Sequence, residues 1–221
     1  MTVGDTIRTG LRGLGQLLIT SGIVILLFVV YELFVTNLYT NREQHHLSVQ
    51  LHEIWTQRHA EAPLILGDGI AELFIPRFER DYDKIIVEGV LEEDLKKGPG
   101  HYPGTALPGQ IGNFVVSGHR TTYGAPFNRL DELRVGDPIV VETYTSYYVY
   151  QVLSEQTVLP DDLAVIAPVP NHPGERPTEA MMTFTTCTPK YSASHRLILY
   201  ARLASSQPRL EGPPAVLALG G

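Results

Sequence analysis

Cys187 and Arg196 form the first candidate pair of reactive residues. Cys187 is the only cysteine in the sequence and ends an apolar segment, and Arg196 follows nine residues later at the start of another, after a loop that contains Pro189. Two successive strands joined by a short loop would bring both side chains to one rim. An activated thiol is a nucleophile, and a permanently protonated guanidinium could stabilise an oxyanion or a bound carbonyl. The residues alone leave open a buried cysteine that only packs and an Arg196 in an ordinary surface salt bridge.

His119 is the candidate acid-base partner of this thiol. It follows the apolar segment of GNFVVSGHRTTYGAPF and enters a loop rich in glycine and threonine. The imidazole suits proton transfer because its ordinary pKa lies close to neutrality. His195 also flanks an apolar strand, but alternation would point it away from Arg196. A purely structural role for His119 remains the alternative.

Composition argues against two other classes of site. The excess of Asp and Glu gives a formal net charge of -7, which does not suit the basic surface that binds phosphates, so no nucleic-acid partner is predicted. His45, His46, His52 and His59 lie close together in the sequence, but no Cys or carboxylate cluster accompanies them at metal-ligand spacing. No metal site and no cofactor are therefore predicted.

Residues 14–35 form an apolar run of 22 residues, close to the ~20 that cross a bilayer core as a helix. The run predicts a membrane anchor. Arg8 and Arg12 precede it and only Arg42 closely follows, so the N-terminus is expected in the cytoplasm and the rest of the chain outside. An unpaired external thiol is unusual, which is a further reason to suspect chemistry. A cleaved signal peptide is the alternative, but the run is longer than its usual apolar region and lacks a cleavage site.

Two kinds of periodicity follow the anchor. Leu47, Leu51, Ile54 and Trp55 recur at helical spacing and predict an amphipathic spacer helix. From about residue 70 the pattern changes to short β-rich segments separated by Pro and Gly clusters. These segments are IAELFIPRF, DKIIVEGV, GNFVVSGH, DPIVVETYT, SYYVYQVLSEQTVL, AMMTFTTC and HRLILYARLA. Many short strands with few helices favour a closed barrel or a sandwich.

Three smaller features complete the predicted organisation. The stretch ETYTSYYVY predicts a hairpin with its turn near Thr145 and Ser146. Short helical patterns occupy residues 91–97 and 126–133. The segment from residue 205 onward is rich in Pro and Gly without helix or strand periodicity, so it is expected to be mobile or to lie on the surface.

Several motifs together resemble the sortase family. The pattern T-F-T-T-C at 183–187, with Arg196 downstream, resembles the sortase signature T-L-x-T-C, and SGHR resembles the strand that carries the catalytic histidine. The phrases GHYPGTALPGQIGN, SGHRTTYGAPF and TCTPKYSASHRL are similar to class E sortases of Gram-positive bacteria. The likeness covers about residues 70–203 and the N-terminal anchor.

The sequence also departs from family patterns. Phe184 stands where the signature has Leu, which should change packing more than chemistry. The interval between Cys187 and Arg196 is short, so loop residues of other classes cannot be carried over. The sequence has no acidic cluster for the calcium site of some class A members and no Asp-Pro-aromatic lid motif.

The resemblance implies a mainly β fold, a closed sortase-type β-barrel with short helices, preceded by a transmembrane helix and a spacer helix. It implies a cell-membrane protein with one span, a cytoplasmic N-terminus and an extracellular catalytic domain. The predicted units are the cytoplasmic N-terminus 1–13, the anchor 14–35, the spacer 36–69, the catalytic barrel 70–204 and a flexible tail 205–221.

The resemblance further implies a cysteine transpeptidase. Cys187 would attack the Thr-Gly bond of a sorting signal, Leu-Ala-x-Thr-Gly or Leu-Pro-x-Thr-Gly, while His119 transfers protons and Arg196 holds the oxyanion. The expected partners are surface proteins with such a signal and the amine of a peptidoglycan precursor similar to lipid II. Thr122, Tyr123 and Thr186 are the candidate substrate-binding residues, although Thr186 could equally be an ordinary strand residue.

Two alternatives of different character use the same sequence features. A cysteine peptidase would hydrolyse the thioacyl intermediate without transfer. A domain without catalytic activity would bind cell-wall polymer or a partner.

Overall fold

The computed structural model describes residues 3–57, 64–78 and 82–218. Its N-terminal part is one unbroken helix, composed of α1 (Val3–Val30), a π-helical turn (Tyr31–Val35) and α2 (Thr36–Thr56). Within it, Gly10–Val30 has a mean hydropathy of 2.3 and none of this stretch is buried against the rest of the protein. This stretch is long and apolar enough to cross a membrane, as the sequence predicted for residues 14–35.

The remainder of the chain is built on a closed barrel of eight strands in the order β1-β2-β3-β4-β7-β8-β6-β5. The strands are β1 (Gly69–Phe74), β2 (Asp83–Glu88), β3 (Gly100–His101), β4 (Gly112–Ser117), β5 (Pro138–Glu142), β6 (Ser146–Val158), β7 (Ala180–Thr188) and β8 (His195–Pro208). The prediction of a closed barrel is confirmed, and each of the seven predicted β-rich segments contains a strand. The two-residue β3 is too short to leave a pattern in the sequence.

Short helices lie between the strands and, in two cases, after β8. They are α3 (Glu92–Leu95), α4 (Ala215–Ala218) and the 3-10 turns Leu130–Glu132, Leu163–Ile166 and Arg209–Glu211. The helical pattern at 91–97 is therefore confirmed as α3, whereas the pattern at 126–133 yields only one 3-10 turn. The predicted hairpin turn near Thr145 lies between β5 and β6.

Inward-facing apolar side chains fill the barrel. Phe114, Tyr150 and Phe184 are fully buried there. The ring of Phe184 lies 4.7 Å from that of Phe127, so the aromatic residue in place of the signature leucine packs in the core, as expected. Burial of one such side chain contributes about 1.5–3 kcal/mol.

Helix α2 packs against the outside of the barrel. Leu47, Leu51 and Trp55 are buried against Ile85 and Val87 of β2. The prediction of an amphipathic helix is thus confirmed, with one correction, because the fourth stripe residue, Ile54, is 39% exposed. At 3.6 residues per turn, this side chain is rotated about 60° from Leu51 and lies at the edge of the packed stripe.

The C-terminal segment is more ordered than predicted. Strand β8 continues to Pro208, and its residues Ser205 and Ser206 pair with Val149 and Tyr148 of β6. The expectation of a segment without strand structure from residue 205 is wrong for these residues, because backbone pairing with the long β6 overrides their weak strand propensity. Val216 of α4 packs against the barrel surface.

Candidate active site

The pairing of β7 with β8 sets Cys187 directly opposite Arg196. Directly opposite residues of antiparallel strands share one face of the sheet, with Cβ atoms about 4.5–5.5 Å apart. The predicted proximity of the two side chains at one rim is therefore confirmed. The Cys187 thiol is half-buried and free.

Arg196 is partly held by its own loop. Its Nη1 donates hydrogen bonds to the carbonyl oxygens of Ala193, at 3.0 Å, and His195, at 3.1 Å. Among the residues that the structure describes, no carboxylate forms a salt bridge with Arg196. An ordinary surface ion pair therefore does not account for this side chain, and its charge is available at the rim.

Strand β4 brings His119 to the same rim. β4 runs parallel to β7, with Ser117 paired to Thr185, so the next residues of the two strands advance side by side. The backbone N–H of Gly118 donates to the Thr185 carbonyl at 3.1 Å. His119 and Cys187 each lie two residues beyond this last pair. His119 just after β4, Cys187 near the end of β7 and Arg196 near the start of β8 thus lie at one end of the barrel.

The surroundings of His119 favour the neutral imidazole. Burial is the main cause that lowers its pKa from the ordinary value of 6.5; the carboxylate of Glu92 raises the pKa, and the ammonium of Lys96 lowers it further. The buried Nε2 atom has no hydrogen-bond partner among the described residues. In a purely structural histidine such an atom would cost about 1–3 kcal/mol. This unpaired nitrogen favours a role in proton transfer.

The three candidate substrate-binding residues differ in their surroundings. The ring of Tyr123 lies 5.1 Å from the ring of His119. Thr122 accepts a backbone hydrogen bond from Ala125 in a tight turn. Thr186 is buried, and its hydroxyl donates to the Gly118 carbonyl at 2.7 Å. Tyr123 thus borders the site, whereas the hydroxyl of Thr186 ties β7 to the start of the histidine loop.

Tyr102, which the sequence patterns did not single out, lies close enough to Arg196 for the charge of the guanidinium to act on its phenol. Burial raises the pKa of its phenol, and the nearby positive charge of Arg196 partly opposes this effect. Its backbone N–H donates to the Val115 carbonyl at 2.9 Å. Tyr102 lies in the motif GHYPGTALPGQIGN, and no local sequence pattern links it to Arg196 in the distant strand β8.

Within residues 3–57, 64–78 and 82–218, no group of three or more His, Cys, Asp or Glu side chains could hold a metal ion. The side chains at the rim supply a thiol, an imidazole, a guanidinium and the phenol of Tyr123.

Comparisons with known proteins point to one family. The family model of the sortase domain matches residues 73–204. Sortase SrtE1 of Streptomyces coelicolor is 35% identical over 215 residues, which cover 93% of this chain and 60% of that protein. The chain therefore spans less than two thirds of the length of this relative.

Solved structures give the same result. Sortase E from Streptomyces avermitilis is 42% identical with a TM-score of 0.63, and the match covers 69% of this chain and 99% of that one. Sortase E1 from Streptomyces coelicolor was solved with a tripeptide in its active site. It is 38% identical with a TM-score of 0.63, and the match covers 68% of this chain and 97% of the sortase E1 chain.

Proposed function

Because the chain belongs to the sortase family of transpeptidases, we propose that it cleaves a sorting signal between Thr and Gly and joins the cleaved protein to an amine. The supporting observation is the register of β4, β7 and β8, by which His119, Cys187 and Arg196 come to one rim. The proposed signal is of the Leu-Ala-x-Thr-Gly or Leu-Pro-x-Thr-Gly type. The proposed amine is that of a cell-wall precursor similar to lipid II.

The first half of the proposed reaction forms a thioacyl intermediate. His119 takes the proton of the Cys187 thiol, and the resulting thiolate attacks the threonine carbonyl carbon. The new oxyanion is stabilised by the guanidinium of Arg196. The C–N bond to glycine then breaks, and protonated His119 donates its proton to the departing amine. A depressed pKa makes the His119 imidazolium a stronger acid in this step.

The second half transfers the acyl group. The acceptor amine attacks the thioester carbonyl while neutral His119 removes its proton. The C–S bond breaks and the Cys187 thiolate is regenerated. The substrate protein has then exchanged the segment that begins with glycine for the acceptor amine, without net oxidation or reduction.

We also propose a single-pass membrane location with a cytoplasmic N-terminus. Support comes from the exposed apolar stretch Gly10–Val30 and from the arginines that precede residue 14. In this arrangement residues 14–35 are the anchor and the barrel of residues 70–204 is the extracellular catalytic unit. Its protein partners are surface proteins that carry the sorting signal.

A peptide substrate has a parallel in a relative. The solved sortase E1 of Streptomyces coelicolor holds a tripeptide in its active site. In this chain, we propose that Tyr123, beside His119, narrows the pocket for the second residue of the signal and favours alanine over proline.

The test uses the full-length protein in detergent micelles with Leu-Ala-x-Thr-Gly and Leu-Pro-x-Thr-Gly peptides and a glycine-like amine. Mass spectrometry should detect a peptide thioester on Cys187 and a ligated product. The Cys187→Ala variant should form neither, and His119→Gln and Arg196→Gln should each reduce turnover by at least about 100-fold.

Other results would identify the alternatives. Release of hydrolysed peptide alone, with the amine in large excess, would indicate a peptidase. An unchanged cellular function in Cys187→Ala would indicate a binding domain without catalysis. A Tyr123→Ala variant that keeps the wild-type preference between the two peptides would refute the proposed role of Tyr123.

A further inference from the structure

The membrane-proximal half of α2 contacts the loop that follows His119. The side-chain oxygen Oδ1 of Asn37 accepts a hydrogen bond from the backbone N–H of Gly124 at 2.8 Å. One turn further along the helix, Thr40 is buried and lies against the same glycine, where an added Cβ would come within 3.1 Å of its Cγ2 atom. The helix and the loop therefore fit closely at this point.

The same half of α2 also binds the segment of residues 92–97, which carries the charges of Glu92 and Lys96 near His119. The hydroxyl of Thr40 donates to the carbonyl of Lys96 at 2.7 Å. The amide of Gln44 donates to the carbonyl of Lys97 at 2.9 Å, and it also pairs with both backbone groups of Ile85. These backbone groups are bound by helix side chains instead of a neighbouring strand.

The loop itself has a backbone that needs support. Tyr123, Gly124 and Ala125 have φ angles of 51°, 71° and 42°. This left-handed conformation is uncommon for residues other than glycine and persists only where the surroundings enforce it. The Asn37 hydrogen bond is made at the middle residue of these three.

A chain of contacts leads from the helix to the imidazole. Thr40 fixes the backbone of Lys96, whose ammonium lies 5.7 Å from the centre of the Tyr123 ring. The Tyr123 ring in turn lies beside the His119 ring. Lys96 also pairs with Glu92 at 2.6 Å, and both charges act on His119. α2 therefore contacts both segments that surround the imidazole.

We propose that Asn37 and Thr40 are positioning residues of the active site, which hold the His119 loop and the α3 segment in place, so that the helix leaving the membrane completes the site. This inference rests on the proposed function, because it assigns the two residues a part in that reaction. Gln44 supports the same segment.

Paired substitutions in the full-length protein separate the hydrogen bonds from the packing. Asn37→Leu removes the acceptor, whereas Asn37→Asp retains it. Thr40→Val removes the hydroxyl, whereas Thr40→Ser retains it. Thr56→Val makes the same change on the same helix, where the hydroxyl bonds only to the His52 carbonyl of its own turn. Leu51→Ala, on the barrel-packing stripe, controls for loss of stability.

Two readouts are taken for each variant. The first is the kcat and KM for the sorting-signal peptide. The second is the pH profile of Cys187 alkylation by iodoacetamide, which reports on one thiol because the sequence has no other cysteine. His119→Gln provides the reference profile of a thiol without its histidine. Among the described residues, the charges that act on His119 are those of Glu92 and Lys96. The ring of Tyr123 lies beside it, Arg120 follows it in the chain, and Cys187 and Arg196 lie on the neighbouring strands.

Asn37→Leu and Thr40→Val should lower kcat about 10- to 100-fold, as expected for small displacements of a catalytic group, with little change in KM. Their alkylation profiles should move toward that of His119→Gln. Asn37→Asp and Thr40→Ser should restore both readouts toward wild type. Thr56→Val should match wild type, and Leu51→Ala should lower the melting temperature while keeping kcat well below that temperature.

The inference is overturned if Asn37→Leu and Thr40→Val keep the wild-type kcat and alkylation profile. It is also overturned if Asn37→Asp and Thr40→Ser, which retain the hydrogen bonds, lose as much kcat as Asn37→Leu and Thr40→Val. The same holds if Leu51→Ala produces an equal loss of kcat. A failure of the proposed function looks different, because the wild-type protein would then not turn over the peptide and its alkylation profile would equal that of His119→Gln.

Discussion

At the level of single residues, His119 lies between groups with opposite effects on its pKa. Burial lowers the pKa, Glu92 raises it and Lys96 lowers it. Glu92 and Lys96 are themselves an ion pair one helical turn apart. The two charges therefore act in opposite directions at the imidazole, and burial, the largest cause, determines the direction of the net shift.

Removing either charge should expose its effect. Lys96→Gln should raise the His119 pKa and Glu92→Gln should lower it, as measured by an NMR titration of the labelled imidazole. Both effects should shrink in high salt, because the Glu92 side chain is exposed to solvent and that of Lys96 is partly exposed. Shifts of the same sign in both variants would contradict the assignment of these charges to His119.

The lowered pKa also has a consequence for stability. The unfolded chain binds a proton on His119 more readily than the folded chain, so the stability contributed by this site is present above pH 6.5 and is lost as the pH falls through the lower folded-state value. Lys96→Gln, by raising the folded-state pKa, should reduce this loss in acid unfolding experiments.

The sequence identified the site residues by type and spacing, but not their finer contacts. Cys187 and Arg196 were found because they end and begin successive strands, and His119 because it follows an apolar strand. The hydrogen bond from Thr186 to Gly118 and the proximity of Tyr102 to Arg196 join residues far apart in the chain. Local patterns cannot reveal such contacts, because barrel closure creates them.

At the level of elements, a buried polar pair joins β2 to β3. Glu88 and His101 are register partners, and their side chains meet at 2.6 Å between Oε2 and Nδ1. The other ring nitrogen, Nε2, lies 2.9 Å from the hydroxyl of Thr105, which in turn donates to the Tyr102 carbonyl. This network orders the backbone of the segment that carries Tyr102.

Breaking the pair should destabilise the barrel. Glu88→Ala leaves Nδ1 of His101 buried without a partner, which should reduce the free energy of unfolding by about 1–3 kcal/mol. Glu88→Gln keeps an acceptor and should cost less. Denaturant unfolding of the full-length variants measures both values, and equal stability of Glu88→Ala and wild type would show that the pair is not needed.

Elements were predictable where their residue pattern is local. Short β-rich segments between Pro and Gly clusters revealed seven of the eight strands, and helical spacing revealed α2. The two-residue β3 carries no period, and Ser205–Gln207 join β8 only because β6 continues beside them. The contact between Asn37 and Gly124 spans 87 positions in the chain. The sequence of neither segment therefore predicts the packing of α2 against the His119 loop.

At the level of the whole molecule, the proposed orientation can be tested with introduced thiols. Val135 is 75% exposed on the barrel, and Gly4 lies before the apolar stretch. In a Cys187→Ala background, a membrane-impermeant maleimide should label Val135→Cys in intact protoplasts. Gly4→Cys should be labelled only after permeabilisation. The reverse pattern would place the barrel in the cytoplasm and contradict the proposed topology.

The helix from Val3 to Thr56 also relates the His119 loop to the proposed anchor. At 1.5 Å per residue, the two residues from the end of that anchor at residue 35 to Asn37 rise only about 3 Å. With residues 14–35 in the bilayer, Asn37 and the His119 loop that it binds would therefore lie at the depth of the lipid headgroups. A lipid-linked acceptor could then react while its tails stay in the membrane, and a substrate protein would have to present its signal close to the membrane surface.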